Sequence, residues 1–259
     1  MLKKRVLPAI AAALALLFTV LLVRTFTPSG DQSAGEAFEF RPDSDRVTRL
    51  MSDSVRFETI SFGRDKPTSA KQLLAYHNYL AQQFPLVHKT LKREVIADYS
   101  LLYTWQGKAP VRDDNKPVVF LGHLDVVPVV PGTEDKWKHP PFKGVVADGF
   151  IWGRGTLDNK VNIVGLLEAA ENMLQQGLQP ERTIYLAFGH DEEQGGIDGA
   201  KVMADVLLKR GVQAEFLVDE GGLVTQGVVP GIDAPMALIA PAEKGIVTLQ
   251  LKVISEGGH

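Results

Sequence analysis

The chain has 259 residues, of which 45% are hydrophobic and none is cysteine. That length exceeds one average domain and the composition supplies a sizeable core, while a disulfide framework, a thiolate zinc site and a cysteine nucleophile are excluded. Net charge is −3, but the first 24 residues hold Lys3, Lys4, Arg5 and Arg24 and no acid, which leaves the remainder at −7. Nucleic acid, which needs a basic surface, is not an expected partner.

Lys3-Lys4-Arg5 precede Val6 to Val23, a run whose only hydroxyl is Thr19. At the α-helical rise this run would be about 27 Å long, close to a bilayer core. Residues 1–24 therefore read as a transmembrane anchor, with the N-terminus inside and everything after Arg24 outside the cytoplasm. The alternative is a cleaved signal peptide and a secreted product. Residues 25–45, with Thr27-Pro28-Ser29-Gly30-Asp31, read as a linker.

A globular pattern begins at about Arg46. Ser69 to Phe84 reads as an amphipathic helix, with Leu73, Leu74, Tyr76, Leu80 and Phe84 at helical spacing. Strands are expected at Ser100–Trp105, Lys116–Leu121, Thr183–Phe188 and Ala214–Val218. Helices are expected at Asn159–Gln176 and Gly199–Arg210, ended by Gly177 and Gly211. Strands alternating with such helices predict an α/β fold, a mostly parallel sheet covered by helices on both faces. Ligands of such sheets bind beyond the carboxyl ends of the strands.

Four acidic clusters fall at those ends. His123-Leu124-Asp125 follows the strand ending at Leu121; residues two apart in extended chain point the same way, so Asp125 can orient the His123 imidazole. Asp158 lies in a glycine-rich turn before a helix, where it is either an N-cap or a carboxylate bridging two cations. The glycines do not match a P-loop or a dinucleotide fingerprint. Asp191-Glu192-Glu193 would repel one another unless cations neutralise them. Glu192 and Glu193 point apart, so one can ligate a metal while the other handles the proton of an attacking water. Asp219 ends a strand, ahead of Glu220-Gly221-Gly222. His190 is expected to be structural. Carboxylates and an imidazole on one rim of one sheet are what a two-metal hydrolase needs.

These segments carry a resemblance. Gly122-His123-Leu124-Asp125-Val126-Val127-Pro128, Trp137 with Pro140-Pro141-Phe142, Trp152-Gly153-Arg154-Gly155 with Asp158 and Lys160, Gly189-His190-Asp191-Glu192-Glu193, and Val218-Asp219-Glu220-Gly221-Gly222 resemble the zinc peptidase family of carboxypeptidase S, aminoacylase, acetylornithine deacetylase and succinyl-diaminopimelate desuccinylase. The nearest branch is that of carboxypeptidase S-like and N-fatty-acyl-amino-acid hydrolases. The resemblance implies two zinc ions, with Co2+ or Mn2+ as substitutes. It places one on His123, Asp158 and Asp219, and the second on Asp158 and Glu193. Glu192 would be the general base and Asp125 would orient His123. It implies a catalytic domain over residues 46–242 and the start of a lid and dimerisation domain over 243–259, where His259 would reach the substrate. It also implies a cis Asp158–Asn159 peptide and a homodimer formed through the lid. The family's last ligand to the second zinc has no counterpart after Asp219, so the chain stops partway through such a lid and is expected to be inactive alone. The expected activity is hydrolysis of an amide bond in a peptide or N-acyl amino acid bearing a free carboxylate. The alternative is a non-catalytic, membrane-tethered binding module on a peptidase-like fold.

Overall fold

A computed structural model of the chain describes residues 3–26, 42–63, 69–222, 224–242 and 249–254. The chain divides into two units, Met1–Pro42 and Asp43–His259. In the first, helix α1 spans Lys3–Phe26. The Thr19 hydroxyl is satisfied inside the helix, donating to the Ala15 carbonyl at 2.9 Å. Among the described residues no helix is long and apolar enough to cross a membrane. The expected transmembrane anchor is therefore without structural support.

The second unit opens with α2, Ser44–Val55, capped by Asp43, whose Oδ1 accepts the Arg46 N–H at 3.0 Å. Helices α3 (Ala70–Gln83) and α4 (Pro85–Thr90) follow. In α3 Leu73, Tyr76 and Leu80 are buried, but Leu74 is half exposed: it falls one position off the stripe that i, i+3, i+7 spacing turns inward. No side chain of its own caps α4. Glu171, from a helix later in the chain, does so instead, accepting the Leu86 and Val87 N–H groups at 3.0 and 2.9 Å.

Strands β1 (Lys92–Ile96), β2 (Ser100–Trp105) and β3 (Val118–His123) come next, then the hairpin of β4 (Val145–Ala147) and β5 (Phe150–Trp152). Helix α5 (Lys160–Gln175), strand β6 (Ile184–Gly189), helix α6 (Ala200–Lys209) and strand β7 (Phe216–Val218) complete the main sheet. A two-residue ladder, β8 (Val224–Thr225) with β9 (Met236–Ala237), lies beyond.

The sheet order is β1-β2-β6-β3-β7. Only β3 pairs in parallel, with β6 on one side and β7 on the other; β1 with β2 and β2 with β6 are antiparallel. The sheet is thus mixed rather than mostly parallel. The cause is local: β1 and β2 are joined by a tight turn with Ala97 and Asp98 at positive φ, and so short a link permits only antiparallel pairing.

Helices cover both faces, as the alternation of strands and helices predicts. Leu101, Tyr103, Leu186 and Phe188 join Leu50, Val55, Tyr76, Leu80 and Leu167 of α2, α3 and α5 on one face. Leu102, Val119 and Ala187 meet Met203 and Leu207 of α6 on the other. Odd and even strand positions thus feed opposite layers, and each fully buried Leu or Phe contributes about 1.5–3 kcal/mol. The lid segment is barely visible: 243–248 and 255–259, including His259, lie outside the described residues, and 249–254 carry no helix or strand. The dimerisation expected through that lid lies outside the described residues with it.

Candidate metal centre

Strand β3 ends at His123, which is buried. Its Nδ1–H donates to the Asp125 main-chain carbonyl at 2.9 Å, and this leaves Nε2 facing the carboxyl end of the sheet. Three carboxylates gather there. Asp158 Oδ1 is 2.9 Å from Nε2, Glu220 Oε2 is 3.5 Å away and Glu192 Oε2 is 3.9 Å away. Burial alone would pull the imidazole down, but the hydrogen bond and charge of Asp125, with Glu220 and Glu192, lift it to about 9.

Asp125 does more than the sequence suggests. Its Oδ1 lies 3.3 Å from His123 Nδ1, as an orienting carboxylate requires. The same carboxylate accepts the Glu192 N–H at 3.1 Å and the Glu193 N–H at 3.2 Å, and the Ser61 hydroxyl donates to it at 2.6 Å. Desolvation opposes its ionisation, yet these donors hold its carboxyl below the ordinary range. It therefore fixes the histidine and the turn after β6 together.

Glu193 Oε1 accepts the Val127 N–H at 3.2 Å. Burial, then the charge of Asp158, push the Glu193 carboxyl up to about 7; burial also raises Glu192. Two sets of side chains place ligand atoms within 4.8 Å of one another: His123 with Glu192 and Glu193, and His123 with Asp158 and Glu220. Imidazole nitrogen with carboxylate oxygens is a donor set that suits zinc.

Asp219 belongs to neither set; it lines a groove with Phe120, Leu121, Val161 and Val218. Glu220 stands where Asp219 was expected. Successive residues of extended chain point apart, and the sequence Asp219-Glu220 does not say which one faces the histidine. Asp158 does not cap α5; its side chain, 65% exposed, meets His123 instead. The Asp158–Asn159 peptide is cis, as the resemblance implied. Asn159, buried, accepts the His123 N–H at 3.3 Å and donates to Glu220, so it links two members of the cluster. Gly122 allows this approach, since a Cβ there would meet Asn159 Oδ1 at 3.2 Å. His190 sits behind the site with Nδ1 2.7 Å from the Ser100 hydroxyl, a structural role as expected. Ser61 and Asn159 have no signature in the sequence, because each acts through a partner distant along the chain.

A histidine and four carboxylates at the carboxyl ends of an α/β sheet form a group that could hold a metal ion. Residues 119–254 match the model of peptidase family M20/M25/M40, and the chain belongs to that family. It is 41% identical to probable carboxypeptidase S-like 2 of Dictyostelium discoideum over 82% of this chain and 41% of that protein. It is 36% identical to the N-fatty-acyl-amino acid synthase/hydrolase PM20D1 of Mus musculus over 98% of this chain and 50% of that protein. The chain thus spans about half the length of the curated relatives it matches. Human carnosine dipeptidase 1 shares the fold, with a TM-score of 0.56 at 18% identity over 70% of this chain and 40% of that one.

Proposed function

We propose that the protein is a di-zinc hydrolase that cleaves an amide bond in a peptide or N-acyl amino acid with a free carboxylate. The observation that carries this reading is the convergence of Asp158, Glu192 and Glu220 on Nε2 of the buried His123, with Glu193 beside them. Membership of family M20/M25/M40 and the likeness to an N-fatty-acyl-amino acid synthase/hydrolase support the reaction class and the substrate class. His123, Asp158 and Glu220 would hold one zinc, and Asp158 and Glu193 the second. Bound zinc supplies a Lewis acid beside the scissile carbonyl. Glu192 takes a proton from the attacking water as its oxygen bonds to the carbonyl carbon. The C–N bond then breaks, and Glu192 returns the proton to the departing amine nitrogen. Asp125 holds His123 and the Glu192-Glu193 turn in register throughout.

The basic flank and apolar run of the first 24 residues support export of the remainder from the cytoplasm. Fractionation separates retention from cleavage: a soluble product beginning near Ala34 or Ala37 means a cleaved signal.

Zinc titration of the wild type and of Asp158→Ala tests the metal reading. About two ions should bind the full-length protein, and the substitution should release both, because Asp158 would serve each. Two ions retained at unchanged affinity in Asp158→Ala would refute the bridging role.

A further inference from the structure

Lys160 is the first residue of α5 and is fully buried. Its position is costly. An amine in an apolar interior loses hydration, and a cation at a helix N-terminus opposes the macrodipole. Its Nζ donates to the Ser54 carbonyl at 2.9 Å and to the Phe57 carbonyl at 2.6 Å, and lies 4.9 Å from the centre of the Tyr76 ring. Ser54 lies at the end of α2 and Phe57 just beyond it, where a donor complements helix-terminal carbonyls.

Stability does not account for this arrangement. Both carbonyls keep a main-chain partner without Lys160: Ser54 O accepts the Phe57 N–H at 3.3 Å, and Phe57 O accepts the Thr59 N–H at 2.9 Å. Removing the amine would therefore leave neither carbonyl without a partner. The lysine is instead joined to the turn that carries Asp158. Its N–H donates to the Gly155 carbonyl at 3.0 Å, and its stem packs beneath Gly155, where a Cβ would lie 3.4 Å from Lys160 Cδ. The Asp158 carboxylate is mostly exposed and meets the protein at His123 Nε2. Little in its own surroundings holds it, so its place is set by the main chain on which it rides.

We propose that Lys160 is a positioning residue for Asp158: by tying the first turn of α5 to the end of α2, it holds the 153–159 turn where the Asp158 carboxylate meets His123. The inference rests on the metal-centre reading above. It concerns the placement of a ligand and requires only that the amine donate two hydrogen bonds.

The test compares zinc affinity and melting temperature in the wild type, Lys160→Met and Leu73→Ala. Lys160→Met keeps the stem and removes the donors; Leu73→Ala opens a cavity under α3 without removing any hydrogen bond to the turn. Lys160→Met should weaken zinc binding by about 10-fold or more, the scale of outer-shell ligand support, with a melting temperature within about 4 °C of wild type. Leu73→Ala should melt lower yet bind zinc normally. Lys160→Gln, which retains one donor pair on a shorter stem, should fall between wild type and Lys160→Met in affinity, and serves in place of the methionine variant if that does not fold. Wild-type zinc affinity in a folded Lys160→Met or Lys160→Gln would overturn the positioning role. So would loss of affinity in Leu73→Ala to the same degree, because general loosening would then explain it. A wild type that binds no zinc would overturn the metal reading itself, and this inference with it.

Discussion

Glu192→Gln separates the proton-handling carboxylate from the ligands. The substitution keeps the shape and removes the basic oxygen. Its placement should survive, because the backbone of residue 192 is held by the Asp125 carboxylate at 3.1 Å rather than by its own side chain. Glu192 Oε2 stands 3.9 Å from His123 Nε2, the longest of the three carboxylate contacts to that atom, so its loss should disturb the metal least. A positioned general base is worth about 100-fold or more in kcat, which corresponds to roughly 2.7 kcal/mol of barrier. The full-length protein, assayed for amine release from an N-acyl amino acid with saturating zinc, should therefore lose at least that factor while zinc content stays at wild-type level. Glu193→Gln should show the opposite pattern, with weakened zinc and activity restored by excess metal. Turnover by Glu192→Gln within about tenfold of wild type, or loss of zinc from it, would refute the assignment and exchange the two glutamates.

Two further outcomes follow from buried charge. In the metal-free protein His123 is lifted to about 9 and Glu193 to about 7, so each of these two groups binds its proton more tightly in the folded chain than in the unfolded chain, whereas burial lowers Lys160 to about 7 and His77 to about 4. The histidine's contribution is full below about 6.5 and is lost as pH rises through 9; the glutamate's falls away as pH rises from about 4.5 through 7. The denaturant midpoint of the metal-free wild type relative to Glu193→Gln should thus fall as pH rises from about 4.5 to 7; a difference that grows over that range contradicts the glutamate's shift. Glu171→Ala removes the side chain that caps α4 and leaves the buried Val87 N–H and the half-buried Leu86 N–H without it. It should cost about 2 kcal/mol or more, with Glu171→Gln roughly halfway because it keeps one acceptor oxygen; thermal melting that does not distinguish the three proteins would show that water replaces the cap.

What could be read from the sequence was periodic or local. Runs such as Ser100–Trp105 and Val118–Phe120 announce buried strands by composition, and Gly177 and Gly211 mark helix ends, so the helices α3, α5 and α6 fall within a residue or two of expectation. Helix α4 was invisible because its cap comes from Glu171, more than eighty residues away. The direction of β2 against β6 was equally hidden, since pairing partners are chosen by the tertiary fold and not by either strand. The site divides along the same line. His123, Asp158, Glu192 and Glu193 stand beside glycines or strand ends that advertise them, and the structure gathers all four. Asp219 and Glu220 share that setting, and only the register of β7 against β3 decides which one reaches the histidine. Asp125 shows why the remainder resists a reading from sequence: one carboxylate receives the Ser61 hydroxyl, two main-chain N–H groups and the approach of an imidazole, from three separate stretches of chain. A residue of that kind has no pattern of its own, because its function is a set of distances that exists only after the strands have paired. The substitutions most informative about this protein are therefore those at such junctions, Lys160 and Asp125, where zinc affinity and fold stability are expected to part company.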